Sequence, residues 1–355
     1  MAIAIGAAIA ALALVWIGIA GVEAGRLRLG QASTEFGERD RLKQEVRDLF
    51  KANDFAGLER LAASYRDGKQ RTRSGIWKLT VFYAGFQEVA AELPRDDSNG
   101  WRSLTEQVER WRKAYRDEPT VYVANAIILK AHAWSLRPRR LVLEASTGAP
   151  NRFLDTLRMA ANGLDRAKNI AATDPHFYVV RADLASALAE APGPFMDLVS
   201  EGLDKAPSYY PLYFSGLDFF AEDNAPQRPD IARRIEAFAN TAARRLHGAD
   251  GAAIYARLYW HAYSAIYGND LFRKSQVDWQ RMRGGFEAIV SRYPDAWNRN
   301  NFAYLACLYG DRDTTRRLLS DASEPLMLTV WKARKFHDGC QRWANTKPET
   351  DRSMQ

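Results

Sequence analysis

The sequence predicts an all-α protein, made of antiparallel helix hairpins stacked side by side and preceded by one transmembrane helix. Three observations predict it. Apolar residues recur at helical spacing along nearly the whole chain, and no segment alternates as a half-buried strand would. Four times a proline is followed three residues on by Tyr or Trp: Pro119 and Tyr122, Pro175 and Tyr178, Pro207 and Tyr210, Pro294 and Trp297. Composition alone gives about one such match. Finally, residues 1–22 carry no charged side chain.

That run comes first. At about 1.5 Å per residue it spans roughly 30 Å, the thickness of a bilayer core. Glu23, Arg26 and Arg28 end it, and Trp16 lies near the boundary, where interfacial aromatics are common. Residues 1–24 therefore read as a single-pass anchor. A cleaved signal peptide is the competing reading, since Val22-Glu23-Ala24 resembles a small-x-small cleavage site. Such a leader normally has a shorter apolar region with Lys or Arg in front, and no basic residue precedes this one. Arg26, Arg28, Arg39, Arg41 and Lys43 all follow the span. The positive-inside rule then favours a cytoplasmic over a periplasmic domain, although large domains can be translocated regardless.

After a linker at 25–37, the helical domain runs over 38–345, with a break near 224–230 and a tail at 346–355. Leu42, Val46, Leu49 and Phe50 mark the first helix, and Asn53-Asp54 breaks it. Phe55, Leu58, Leu61 and Tyr65 mark the second; Trp77, Val81, Phe82, Phe86 and Val89 mark a strongly apolar third. Pairs follow at 101–116 with 121–136, and at 151–172 with 177–191, the latter hinged at Asp174-Pro175. Proline suits the start of a second helix, because the first turn does not need its missing N–H. Shorter helices are predicted at 195–205 and 210–221. Beyond Pro226 and Pro229 come 231–246, 252–267, 277–293, 296–309, 314–319 and 326–343.

Net charge is +7, but acidic residues are interspersed and no long basic block or nucleic-acid module appears. The two cysteines, Cys307 and Cys340, are too few for a disulfide framework and lack metal spacing; whether they pair is open, and so is the redox compartment.

A proline with an aromatic three positions on, opening a helix after a helix, resembles the tetratricopeptide pattern. The copies are spaced irregularly, so the hairpins resemble degenerate repeats of that kind, which implies a stacked superhelix. A second resemblance is carried by Phe55-Ala-Gly-Leu58, Ser74-Gly-x-Trp77-Lys-Leu79, the stretch from Pro119 through Asn125-Ala126 to Ala133-Trp134-x-x-Arg137, and Tyr293-Pro-Asp-Ala-Trp-Asn-x-Asn-x-Phe302-Ala. Over most of residues 40–320 the chain resembles a bacterial family known only as a domain of unknown function. That resemblance implies bacterial origin and a helical fold, and carries over no catalytic residue; with the apolar run at 1–22 the expected location is the bacterial inner membrane.

Among candidate sites, Asp97-Ser-Asn99-Gly100 through Glu106 matches a calcium loop at several positions, but Arg95 stands where the first ligand oxygen belongs. A simple turn starting a helix at Trp101 is the better reading. His132, His176, His247, His261 and His337 form no metal or catalytic motif, and no nucleotide or other cofactor motif appears. On the helix at 252–267, Tyr255, Tyr259, Tyr263 and Tyr267 recur every four residues, with Arg257 further round. Aromatic stripes usually serve cores. The alternative is a groove-lining face, in which Tyr255, Arg257, Tyr259 and Tyr263 contact a partner. The expected function is a membrane-anchored scaffold that binds a protein or peptide and catalyses nothing itself. The alternative is an envelope-associated enzyme on an all-α toroid or superhelix, acting on glycans.

Overall fold

The computed structural model describes residues 34–137, 151–222, 230–320 and 325–346. Among the described residues every regular element is helical, and the only β-type pairing is an isolated bridge between Arg71 and Trp77. The chain divides into two compact units. The first runs to Ile231 without Arg73–Gly75; the second holds Arg73–Gly75 and the residues from Ala232 onward.

The first unit contains α1 (Glu35–Lys51), α2 (Phe55–Asp67), α3 (Lys78–Ala91), α4 (Ser98–Ala114), α5 (Pro119–Leu136), α6 (Arg152–Arg166), α7 (Lys168–Ala171), α8 (His176–Ala187), α9 (Pro192–Lys205) and α10 (Pro211–Glu222). Their composition sorts them. α3, α5, α8 and α10 are apolar over most of their circumference, and each packs on the next. A helix without a polar face has to be covered on every side. The covering comes from amphipathic neighbours. α4 packs on α5 and buries the stripe Trp101, Leu104, Val108 and Trp111; α6 and α9 add similar stripes, Leu157-Ala160-Ala161-Leu164 and Phe195-Val199-Leu203. At one end, Phe86 meets Phe50 and Trp111, each at 5.6 Å between ring centroids. Burying one such ring contributes about 1.5–3 kcal/mol.

Helix starts follow local chemistry. Thr34, Asp54, Asp97 and Asn151 cap α1, α2, α4 and α6 by accepting the N–H three residues on. Pro119 opens α5 in its first turn. Tyr122 then donates its hydroxyl back to the Arg116 carbonyl at 2.6 Å. Pro175 is the N-cap of α8, and Tyr178 is buried beyond it. At the third copy the register shifts: Pro211 starts α10, and Tyr213, not Tyr210, donates to the Pro207 carbonyl at 3.0 Å. Pro294 sits just ahead of the cap Asp295, whose carboxylate accepts the Trp297 N–H at 2.8 Å. All four copies thus stand at or just before the start of a helix.

The second unit contains α11 (Ile231–Leu246), α12 (Gly248–Ala262), a π-helical turn (Tyr263–Tyr267), a 3₁₀ turn (Gly268–Asp270), α13 (Leu271–Lys274), α14 (Trp279–Arg292), α15 (Ala296–Tyr309), α16 (Arg312–Leu319), α17 (Leu328–Trp331) and α18 (Arg334–Asn345). α12 and α14 approach so closely that a Cβ on Gly285 would lie 2.2 Å from the Ala252 carbonyl oxygen. Asn300 on α15 uses its whole amide. It donates to the Ala296 and Pro325 carbonyls and accepts from the Met327 N–H and the Trp331 indole.

Three predicted helices are interrupted. The segment 151–172 divides at Ala167 into α6 and α7. The segment 252–267 leaves α-geometry at Tyr263 and is ended by Gly268 at φ 53°. The segment 326–343 breaks at Lys332, whose φ of 60° cannot continue a right-handed helix. No helix among the described residues is long and apolar enough to cross a membrane; the expected anchor at 1–22 lies outside them.

Candidate functional site

The first unit holds a buried polar chain. Asp174, in the turn before α8, is fully buried. Its Oδ2 accepts from the Tyr83 hydroxyl at 2.8 Å and from Arg66 at 3.2 Å; its Oδ1 accepts the His176 N–H at 2.8 Å. His176 stacks on Tyr83 with centroids 4.6 Å apart, and its Nδ1 bonds the Tyr209 hydroxyl at 2.8 Å. Tyr209 in turn meets Thr80 Oγ1 at 3.0 Å. α2, α3, the α8 turn and the turn residues before α10 are therefore joined by a single run of hydrogen bonds.

Burial sets the protonation in this chain. It lifts the Asp174 carboxyl above its ordinary range, against the pull of Arg66 and the bonds from Tyr83 and His176. It holds His176 down at about 3, helped by Lys130, so the ring is neutral at physiological pH. Tyr83 and Tyr209 are pushed well up. Two phenols that stay protonated and a neutral imidazole make a fixed structural network.

Glu59 on α2 is a second buried group. Its Oε1 accepts the Trp111 indole N–H at 2.9 Å, while Oε2 has no hydrogen-bond partner. Burial raises its pKa to about 7, against opposition from Thr120 and Trp111. Phe55 stacks on the same indole at 5.7 Å, which closes the site over with apolar surface.

In the second unit the tyrosine stripe turns inward. Tyr255 and Tyr259 are 1% and 0% exposed, and both donate to the Glu236 carboxylate on α11. Arg281 from α14 pairs with Glu236 at 3.2 Å and lies over the Tyr255 ring at 3.9 Å. Arg257 is buried as well. The expected partner face at Tyr255, Arg257 and Tyr259 is therefore not presented to solvent. The physical reason is that α11 and α14 supply a carboxylate and a guanidinium that satisfy the phenols inside the core. Burial, with the Glu236 carboxylate beside them, raises both phenol pKa values, Tyr255 to about 12.

Tyr263 differs. The π-turn places Tyr263–Asp270 at least partly in solvent. Tyr263 donates to the Tyr304 hydroxyl at 2.8 Å, which donates to Asn269 Oδ1 at 3.1 Å. The Tyr267 hydroxyl is buried without a hydrogen-bond partner. Tyr304 also packs on Trp331 and on Phe336, which is 37% exposed. Single π-turns are frequent at functional sites, and this one carries partly exposed tyrosine rings, Tyr263 and Tyr267, with a hydroxyl relay beneath them. Among the candidates it is the surface best suited to contact.

The calcium-like loop is a helix cap: Asp97 accepts the Gly100 N–H at 2.8 Å, and no metal-binding cluster occurs among the described residues. His132 stacks on Trp101 at 4.5 Å, and burial with nearby Arg152 lowers its pKa. The sequence singled out Asp174 only as part of a hinge and did not single out Arg66, Tyr83, Glu59 or Glu236. The Asp174-Pro175-His176 turn held a signal, because Asp before Pro commonly bends the chain with its side chain on nearby backbone N–H groups. The others sit at ordinary helical positions and carry none.

Compared with protein-family models, curated proteins and solved structures, the chain matches none of them.

Proposed function

We propose that the chain is a membrane-tethered helical-repeat scaffold that binds a protein or peptide partner. The observation that carries this reading is the row α3, α5, α8 and α10. Each is an apolar helix packed on its predecessor and flanked by amphipathic helices. That arrangement is what stacked hairpins of the tetratricopeptide kind require, and stacks of this kind commonly work by presenting extended surfaces. The uncharged run at 1–22 supplies the tether. Tethering raises the effective concentration of partners at the same membrane.

The contact surface we assign is the π-turn patch, Tyr263, Tyr267 and Phe336, with the buried Tyr304 beneath it. Tyr offers a large rigid area and a hydroxyl at low entropic cost. The test is a photocrosslinking residue at position 263 or 336 in the full chain, with position 159 on α6 as control. Crosslinks to one discrete protein from positions 263 and 336, lost on Tyr267→Ala, support the assignment. Equal labelling from position 159, or no adduct from 263 and 336 in native membranes, overturns it.

A further inference from the structure

The two cysteines of the chain are bonded to each other, with Cα atoms 5.9 Å apart. Cys307 lies in the last turns of α15 and Cys340 in the middle of α18. Apart from the bond, α18 is held by side chains at its rim: Phe336 on Tyr304 and Trp331, His337 on Trp331, and Trp343 beneath Arg312. Of its twelve residues only Cys340 and Ala344 are buried. Its remaining polar ties are peripheral: Arg316 to the Ala344 carbonyl, Gln341 to the Leu319 carbonyl, and Arg312 to the Thr346 carbonyl just beyond its end. The chain reaches it through the irregular Lys332–Ala333 break. A twelve-residue helix is marginal by itself, and buried contact normally stabilises it. Here little of the helix is buried, and a covalent bond adds to those rim contacts.

A bond of this kind persists in oxidising compartments and is rare where glutathione and thioredoxin keep thiols reduced. The same chain begins with 22 residues free of charge, the composition of a membrane leader. We infer that the helical units stand on the oxidising, extracytoplasmic side of the membrane and that Cys307–Cys340 is a clasp that seats α18 only after export. This reverses the orientation suggested by Arg26 and Arg28. That charge bias is weak evidence, because large domains cross largely regardless of flanking charge. Closure proceeds by exchange. One cysteine thiolate attacks the disulfide of a protein thiol oxidant in that compartment, forming a mixed disulfide and releasing one oxidant thiolate. The second cysteine thiolate displaces the other. Two electrons and two protons pass to the oxidant, which leaves as its dithiol. The inference rests on the membrane-leader reading of residues 1–22 and does not depend on partner binding.

The full chain tests it directly. In intact bacterial cells, a mass-tagged maleimide is expected to add nothing without reductant and two tags after reduction. A C-terminal alkaline phosphatase fusion is expected to be active and a C-terminal green fluorescent protein fusion dark. Two tags before reduction overturn the clasp, and a fluorescent fusion with inactive phosphatase overturns the placement. In the purified protein, reduction is expected to speed amide exchange over residues 334–345 at least tenfold while leaving α12 and α14 unchanged. The C307S/C340S double variant should show the fast exchange with or without reductant. Unchanged protection of α18 on reduction sinks its dependence on the bond. Loss of photocrosslinking with these results intact would count against the scaffold reading alone.

Discussion

The Tyr83 hydroxyl donates to the Asp174 carboxylate at 2.8 Å, with both residues sealed from solvent. The carboxylate also holds Arg66, so removing it leaves a guanidinium and a phenol without their acceptor. Breaking a buried pair by deleting one member costs about 3–5 kcal/mol. Asp174→Ala should destabilise the first unit by that amount. Tyr83→Phe, which removes one bond to a charged group, should cost about 1.5–3 kcal/mol. Urea unfolding followed by tryptophan fluorescence measures both, and equal small losses would show that the pair carries no weight.

Glu59 should give the protein an inverted pH response. Its pKa is about 7 when folded, against an ordinary 4.5. The folded state therefore holds the proton more tightly. The associated stability is fully present below pH 4.5 and is lost as pH rises through 7, by roughly 3 kcal/mol. Glu59→Gln keeps an acceptor for Trp111 without a charge. It should be more stable than the parent at pH 8 and flatten the slope between pH 4.5 and 7. His176 acts in the opposite direction: held at about 3, it contributes stability present above 6.5 and lost as pH falls below that. Its ring resonances should not titrate between pH 5 and 8.

The stripe on α12 separates packing from recognition. Tyr259→Phe loses only the bond to Glu236 and should cost about 1–3 kcal/mol. Tyr259→Ala also opens a cavity, and about 3–5 kcal/mol is expected. A Tyr259→Ala protein that melted like the parent would place this ring outside the core.

Gly285 tests the closeness of α12 and α14. A methyl group there would press on the Ala252 carbonyl, a backbone atom that cannot rotate away. Gly285→Ala should lower stability by about 1–3 kcal/mol even though alanine is the better helix former. A rise in the thermal midpoint would show that the two helices separate freely.

Removing the disulfide closing the 33-residue separation should cost about 2–4 kcal/mol. Calorimetry of C307S/C340S against the parent in oxidising buffer reads this loss, and the difference should vanish when the parent is reduced.

Much of the helical plan was legible in the residues. The segments 231–246 and 296–309 have the same bounds in sequence and structure, because proline or an aspartate cap marks their starts and the apolar spacing is unbroken. The π-turn was not legible. Tyr255, Tyr259, Tyr263 and Tyr267 keep a spacing of four through it, so periodicity does not register the change of winding. Which neighbour a stripe faces was hidden for a related reason. Glu236 lies 19 residues before Tyr255 on another helix, and an exposed glutamate would read identically. Arg66 and Asp174 are separated by 108 residues, a distance at which spacing arguments have no purchase.

Tyr122 with Arg116, and Tyr213 with Pro207, each tie atoms only six positions apart. Closing so short a loop costs little chain entropy. Either bend can therefore form early and by itself, before remote parts of the polypeptide meet. A fragment holding residues 98–136 should retain measurable helicity in isolation, so assembly can spread outward from several local seeds.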